Sequence, residues 1–152
     1  MKKISLSTSN SRITHAVRVD WTDYNTLSST DGESQYIDIP GILNGRWIIT
    51  RVLLYITEGF TDADGTADCR THIGTPIDND NLVGSKPVDA VGAVLDARSG
   101  TPEVPANTYG IVDTDLRVAI DPPSGFALSD LVQGEMIVML RIVNVDSIIA
   151  TT

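Results

Sequence analysis

Over residues 12–21 the chain alternates strictly: Ile13, His15, Val17, Val19 and Trp21 fall on one face, and Arg12, Thr14, Ala16, Arg18 and Asp20 on the other. A period of two is the mark of a half-buried strand, and such a strand needs both a pairing partner and a second layer over its apolar face. The same period returns later. Residues 46–57 (RWIITRVLLYIT) form the longest apolar stretch, too charged at Arg51 for a membrane span and too β-branched for a helix. It reads as a central strand with Ile48, Val52, Leu54 and Ile56 facing in. Residues 135–145 (EMIVMLRIVNV) make a last long strand with Met136, Val138, Leu140 and Ile142 on one face.

Composition supports strands throughout. Ile, Val and Thr together supply 46 of 152 residues, types that are stiff at χ1 and fit a pleated surface. Acid is carried by 16 Asp and only four Glu, and Lys occurs at positions 2, 3 and 86 alone, which is not the make-up of a helical domain.

Between the long strands, turn chemistry sets the punctuation. Residues 27–34 are loop, residues 35–39 a short strand stopped by Pro40-Gly41, and Asn44-Gly45 a second turn. The turn Asp62-Ala-Asp-Gly65 joins the 46–57 strand to an alternating segment at 66–74 (Ala67, Cys69, Thr71 and Ile73 inward), and the two are expected to pair as a hairpin. Residues 75–105, broken by four prolines and three glycines, read as irregular and exposed, with one helical turn near 78–82 and a short strand within 88–95. Residues 109–112 and 116–120 alternate as strands, and 127–132 reads as one helical turn. About eight strands with long loops and almost no helix predict an all-β, two-sheet β-sandwich, most economically a jelly roll. The expected organisation is a flexible basic N-terminal arm at 1–11, a sandwich domain at 12–146 and a short C-terminal tail at 147–152.

Charge excludes some functions. The net formal charge of −9 divides into four cations and no acid over residues 1–19 and 7 − 20 = −13 over the remainder. An acidic body repels phosphates, so no nucleic-acid partner is expected. No apolar run approaches the roughly 20 residues of a membrane span, and the polar stretch after Met-Lys-Lys is not a signal peptide, so neither membrane nor export is expected. A single cysteine, Cys69, forms no intrachain disulfide and reads as a small apolar filler, and with only His15 and His72 beside it a structural zinc site is not expected.

The carboxylates are the first candidates for a chemical site. Asp62 and Asp64 beside one turn, and Asp78 and Asp80 in the next loop, are candidate calcium ligands, but the EF-hand spacing fails: with Gly65 at the glycine position, Phe60 falls at the first ligand position and Thr71 at the closing glutamate. Their other role is to cap turns. No carboxylate pair is singled out for glycoside hydrolysis, and nucleophile-elbow, P-loop and dinucleotide motifs are missing from the sequence. No catalytic residue, cofactor or resident metal is therefore expected, and the chain is expected not to be an enzyme.

Some segments carry a resemblance. Ile37-Asp-Ile-Pro-Gly-Ile-Leu-Asn-Gly45 leads into the central strand, and Glu58-Gly-Phe-Thr-Asp62 opens the following turn. Ile73-Gly-Thr-Pro-Ile-Asp-Asn-Asp-Asn-Leu82 and Leu128-Ser-Asp-Leu-Val-Gln-Gly-Glu135 come later. In order, over residues 35–145, these resemble the small β-sandwich virion proteins of tailed bacteriophages, the head decoration or minor capsid group. The resemblance implies a non-enzymatic protein made in the host cytoplasm that decorates or cements a capsid surface. Its partners would be the major capsid protein and copies of itself, a trimer being favoured because such proteins cluster at symmetry axes. It transfers no catalytic residues. Lys2, Lys3, Arg12 and Arg18 are then the first candidates for partner contact. Two alternatives stand beside it: a receptor- or glycan-binding head or fibre module with its site in residues 75–110, and a tail or neck component.

Overall fold

The computed structural model describes residues 2–4, 13–65, 68–89, 91, 94–96, 109–110 and 113–146. Within these, ten strands run in chain order: β1 (Lys2–Ile4), β2 (His15–Asp20), β3 (Gln35–Leu43), β4 (Trp47–Thr61), β5 (Arg70–Gly74), β6 (Val83–Pro87), β7 (Val94–Asp96), β8 (Tyr109–Gly110), β9 (Thr114–Asp121) and β10 (Gln133–Asn144). Three of them, β1, β7 and β8, are only two or three residues long; the other seven divide three and four between two antiparallel sheets packed as a sandwich. The first sheet has the order β1-β2-β10-β4-β7, with β8 also on β4, and the second the order β3-β9-β5-β6.

The inner faces meet as the period-two pattern requires. Val17 and Val19 of β2, Val52, Leu54 and Ile56 of β4, and Met136, Val138 and Leu140 of β10 are buried on one side; Ile39 and Leu43 of β3, Ile73 of β5, and Leu116, Val118 and Ile120 of β9 on the other. One end of the core is filled by Tyr24 and Phe60, rings edge-on at 6.3 Å. Tyr24 is fully buried, and its hydroxyl donates to the Val118 carbonyl at 3.2 Å, which satisfies the one polar atom the ring brings inside. Cys69 is also buried on the inner side, and burial, with nearby Asp68 and Asp62, pushes its thiol pKa up to about 12.

Several sequence expectations are corrected. β4 and the segment after the Asp62–Gly65 turn do not form a hairpin: β4 belongs to the first sheet and β5 to the second, where β5 pairs with β6 and β9. β4 stays in the first sheet to its end, where Thr61 stands opposite Gln133, and the chain reaches the other layer only after it. Pro40-Gly41 does not stop β3, which runs on to Leu43 through a register shift between Ile39 and Leu43. Asp78–Leu82 is a series of turns and bends instead of a helical turn. The strand expected within 88–95 overlaps β7 at Val94 and Leu95, and β7 continues to Asp96; residues 90, 92 and 93 lie outside the described residues. The turn near 127–132 is present as a 3₁₀ turn at Leu128–Asp130. Thr66 and Ala67, residues 97–108 and the tail 147–152 lie outside the described residues.

Ile48 faces outward at 39 % exposure, while Trp47 and Ile49 are buried. The cause is a bulge: Arg141 stands opposite Arg51 but Ile142 opposite Ile49, so Thr50 is an extra residue and the parity of β4 changes there. A second register shift, with Glu135 opposite Glu58 and Met136 opposite Ile56, leaves Thr57 extra. Both extra threonines donate to β10 carbonyls, Thr50 to Arg141 at 3.4 Å and Thr57 to Glu135 at 3.1 Å.

Candidate functional site

The outer face of the second sheet carries side chains that its register brings into rows. Tyr36 and His72 both stand opposite Ala119 from either side, and Asp38 and Gly74 both stand opposite Arg117. The Arg117 guanidinium donates through Nε and Nη2 to the two oxygens of Asp38 at 2.7 and 2.8 Å, a forked pair, and lies 3.7 Å from the Tyr36 ring centroid. Its third nitrogen donates to Asn79 Oδ1 at 3.0 Å.

Asn79 reaches Arg117 because the loop after β5 folds back over the sheet. Thr75 and Asp78 exchange backbone hydrogen bonds at 2.8 and 3.1 Å, and Leu82 N returns to the Ile73 carbonyl at 3.1 Å. Gly74 is required beneath that loop, since a Cβ there would run into the backbone of Asp78 and Asn79. The loop and sheet enclose an open groove of about 520 Å³ lined by His72, Ile77, Asp78, Asn79, Asp80, Ser85 and Asp121. Ile77 stands at its rim, 91 % exposed. A smaller, more apolar depression of about 310 Å³ lies on the other side of the same loop over Trp47 and Gly110.

His72 Nδ1 is 2.9 Å from Asp121 Oδ2. That hydrogen bond is the largest influence on His72 and raises its pKa above the ordinary imidazole value, against partial burial, which lowers it. For Asp121, burial pushes upward, but hydrogen bonds from His72 and Ser34 and the charges of His72 and Arg70 outweigh it, and its pKa is lowered. The groove thus presents one imidazole hydrogen-bonded to a carboxylate, two further carboxylates, an amide and a hydroxyl. Such a set accepts hydrogen bonds from hydroxyl groups and repels anions.

The candidate residues from the sequence are dispersed. Among the described residues, no group of three or more His, Cys, Asp or Glu is arranged to hold a metal ion: Asp62 and Asp64 sit in the turn after β4, and Asp78 and Asp80 in the loop after β5. Lys2 and Lys3 fall in β1, whose register sets Lys2 opposite Arg18 and Lys3 opposite Val17, so the first residues of the expected arm lie along the sheet edge, where β2 has open backbone groups to pair. Arg12 lies outside the described residues. Arg18 is exposed on the outer face of the first sheet and forms an ion pair with Glu135. The His72–Asp121 and Arg117–Asp38 pairs leave no local signal in the sequence, because their partners are 49 and 79 residues apart and only the strand register joins them.

Compared with protein-family models, with curated proteins and with solved structures, the chain matches none.

Proposed function

We propose that the protein is a non-enzymatic virion subunit with a jelly-roll fold that attaches to the outer surface of a tailed-phage capsid and self-associates there. The observation that carries the reading is the nesting of its strand pairs. Taking β2, β3, β4, β5, β6, β7, β9 and β10 as eight consecutive strands, the first pairs with the eighth, the second with the seventh, the third with the sixth and the fourth with the fifth, all antiparallel. This is the pairing of one long antiparallel ribbon; rolled up, successive pairs fall in alternate sheets. The pairs β10·β4 and β9·β5 then join the ribbon to itself. Jelly rolls are common in virion shells but host other functions too, so the capsid assignment also draws on the resemblance of residues 35–145 and on the basic leader. Many weak contacts on one shell add through effective concentration, so a subunit of this size needs only modest affinity per copy.

The test is co-sedimentation with capsids assembled from the major capsid protein alone. Saturable binding that weakens when residues 2–11 are deleted is expected; the absence of binding at tens of micromolar would refute the assignment. A second reading, a glycan- or receptor-binding module, is favoured by one specific observation, the polar groove beside His72 with an apolar rim at Ile77. A glycan array would then give signals that fall with Asp78→Ala, whereas an array at background removes this reading.

A further inference from the structure

The outer face of the first sheet has a symmetry in its chemistry. Across β4 and β10 the register runs Arg51 opposite Arg141, Leu53 opposite Met139, Tyr55 opposite Ile137, and Glu58 opposite Glu135. The two middle rows are apolar yet half-exposed, on the face turned away from the core. The two outer rows place like charges directly across the strands. One row is doubly basic and the other doubly acidic. Arg18 tempers the acidic row through its ion pair with Glu135, and Glu58 is exposed beside it. The two bulges, at Thr50 and Thr57, bracket the segment, so that the outward parity of Arg51, Leu53 and Tyr55 is fixed by them.

We infer that this face binds a second copy of the chain in a two-fold dimer. Place two such faces against each other with the axis in the interface and perpendicular to the strands. The Leu53·Met139 row of one copy then meets the Tyr55·Ile137 row of its partner, and Arg51·Arg141 meets Glu58·Glu135 at both ends. One operation covers the apolar rows and sets the basic row of each copy against the acidic row of the other, which is the self-complementarity an isologous interface requires. A two-fold axis parallel to the strands would instead set arginine against arginine. A three-fold arrangement, as the capsid resemblance implies, leaves no copy with this face against the same face. The inference concerns the protein alone in solution, so it stands or falls separately from capsid binding.

The patch is small. Six residue steps of about 3.4 Å along β10 and the three strands β2, β10 and β4, about 4.8 Å apart, give roughly 20 by 10 Å before side-chain spread. That is below the roughly 1,200 Å² of total area that stable specific interfaces bury, so a transient association with a Kd of about 100 µM or weaker is expected.

The experiment is sedimentation velocity of the full chain from about 1 to about 500 µM, at about 50 and 500 mM NaCl. The wild type should dimerise, less tightly at high salt. Arg51→Glu with Arg141→Glu makes both ends acidic, and Glu58→Lys makes the other end basic; each should weaken the homodimer at least about tenfold, while an equimolar mixture of the two variants restores a dimer. Asp31→Lys, in the loop before β3, should change nothing. Circular dichroism of each variant checks its fold, and the wild-type concentration and salt series stands even if a variant fails to fold. A wild type monomeric at about 500 µM, a trimer, a dimer indifferent to these charges, or a mixture that stays monomeric overturns the inference.

Discussion

Gly134 offers a way to measure how much of the fold's stability depends on one backbone geometry. It is the second residue of β10, with φ +141°, a region that side chains rarely enter, and a Cβ built there lies 2.5 Å from Phe60 Cγ, 2.6 Å from Cδ1 and 2.8 Å from Phe60 Cα. Two costs therefore combine in Gly134→Ala: backbone strain of about 1–3 kcal/mol, and overpacking against a fully buried ring of about 1–3 kcal/mol. Phe60 cannot swing away freely, because Tyr24 stands edge-on to it and its own Cα is among the atoms struck. The sum is about 4 kcal/mol, a large share of the roughly 5–15 kcal/mol typical of a domain. With a urea m-value of about 2 kcal/mol/M, the denaturation midpoint should fall by about 2 M. Two other glycines separate the contributions. Gly65 has φ +70° and nothing within 4 Å of a built Cβ, so Gly65→Ala carries strain alone, about 1–2 kcal/mol. Gly84 has open space and no such φ, so Gly84→Ala should be neutral or stabilising by up to about 1 kcal/mol. Midpoints should rank Gly84→Ala, Gly65→Ala, Gly134→Ala from highest to lowest. If Gly134→Ala costs no more than Gly65→Ala, the contact with Phe60 contributes nothing and the reasoning fails.

Two further outcomes follow from the titratable groups. His72 is raised and Asp121 lowered in the folded state, so the histidine's contribution is complete below its unfolded pKa and is lost as pH rises through the folded one. The aspartate's contribution is present above its unfolded pKa and is lost as pH falls through the folded one. Their shared stabilisation is thus greatest between the ordinary Asp and His values. An NMR titration should find His72 above the ordinary imidazole pKa, and Asp121→Asn should bring it down to that value or below, since partial burial then acts without its counter-ion; an unmoved titration in the variant would contradict the pairing. Cys69, with its thiol at about 12, is expected to resist Ellman's reagent at pH 8, where only about one molecule in ten thousand carries the thiolate, and to react at the rate of unfolding. Rapid labelling of the native protein would show that the thiol is not enclosed as described.

Residue chemistry along the chain was enough for an all-β sandwich, because the period of two in β2, β4 and β10 and the turn residues between strands are local properties. The inward residues Val17, Val19, Val52, Leu54, Ile56, Met136, Val138 and Leu140 follow from the same alternation. The enclosure of Cys69 was legible as well, since its alternating segment set it on the inward face. Sheet membership was not. Neighbouring alternating segments suggested a hairpin for β4 and β5, yet partner choice depends on contacts between residues far apart in sequence, and β4 pairs with β10 while β5 pairs with β9.

The candidate site was less legible still. Nothing in the chain around His72 announces Asp121, nor does Asp38 announce Arg117; each pair exists because two strands align in one register. The outer face of the first sheet depends on register twice over. One extra residue at Thr50 turned Ile48 outward against the simple alternation, and the alignment of β4 with β10 set arginine opposite arginine and glutamate opposite glutamate. Sequence alone determined which residues prefer a strand and which prefer a turn, because those preferences reside in single side chains and their nearest neighbours. Only the tertiary structure decided which side chains share a face, because that is a property of paired strands, and a single bulge shifts everything beyond it.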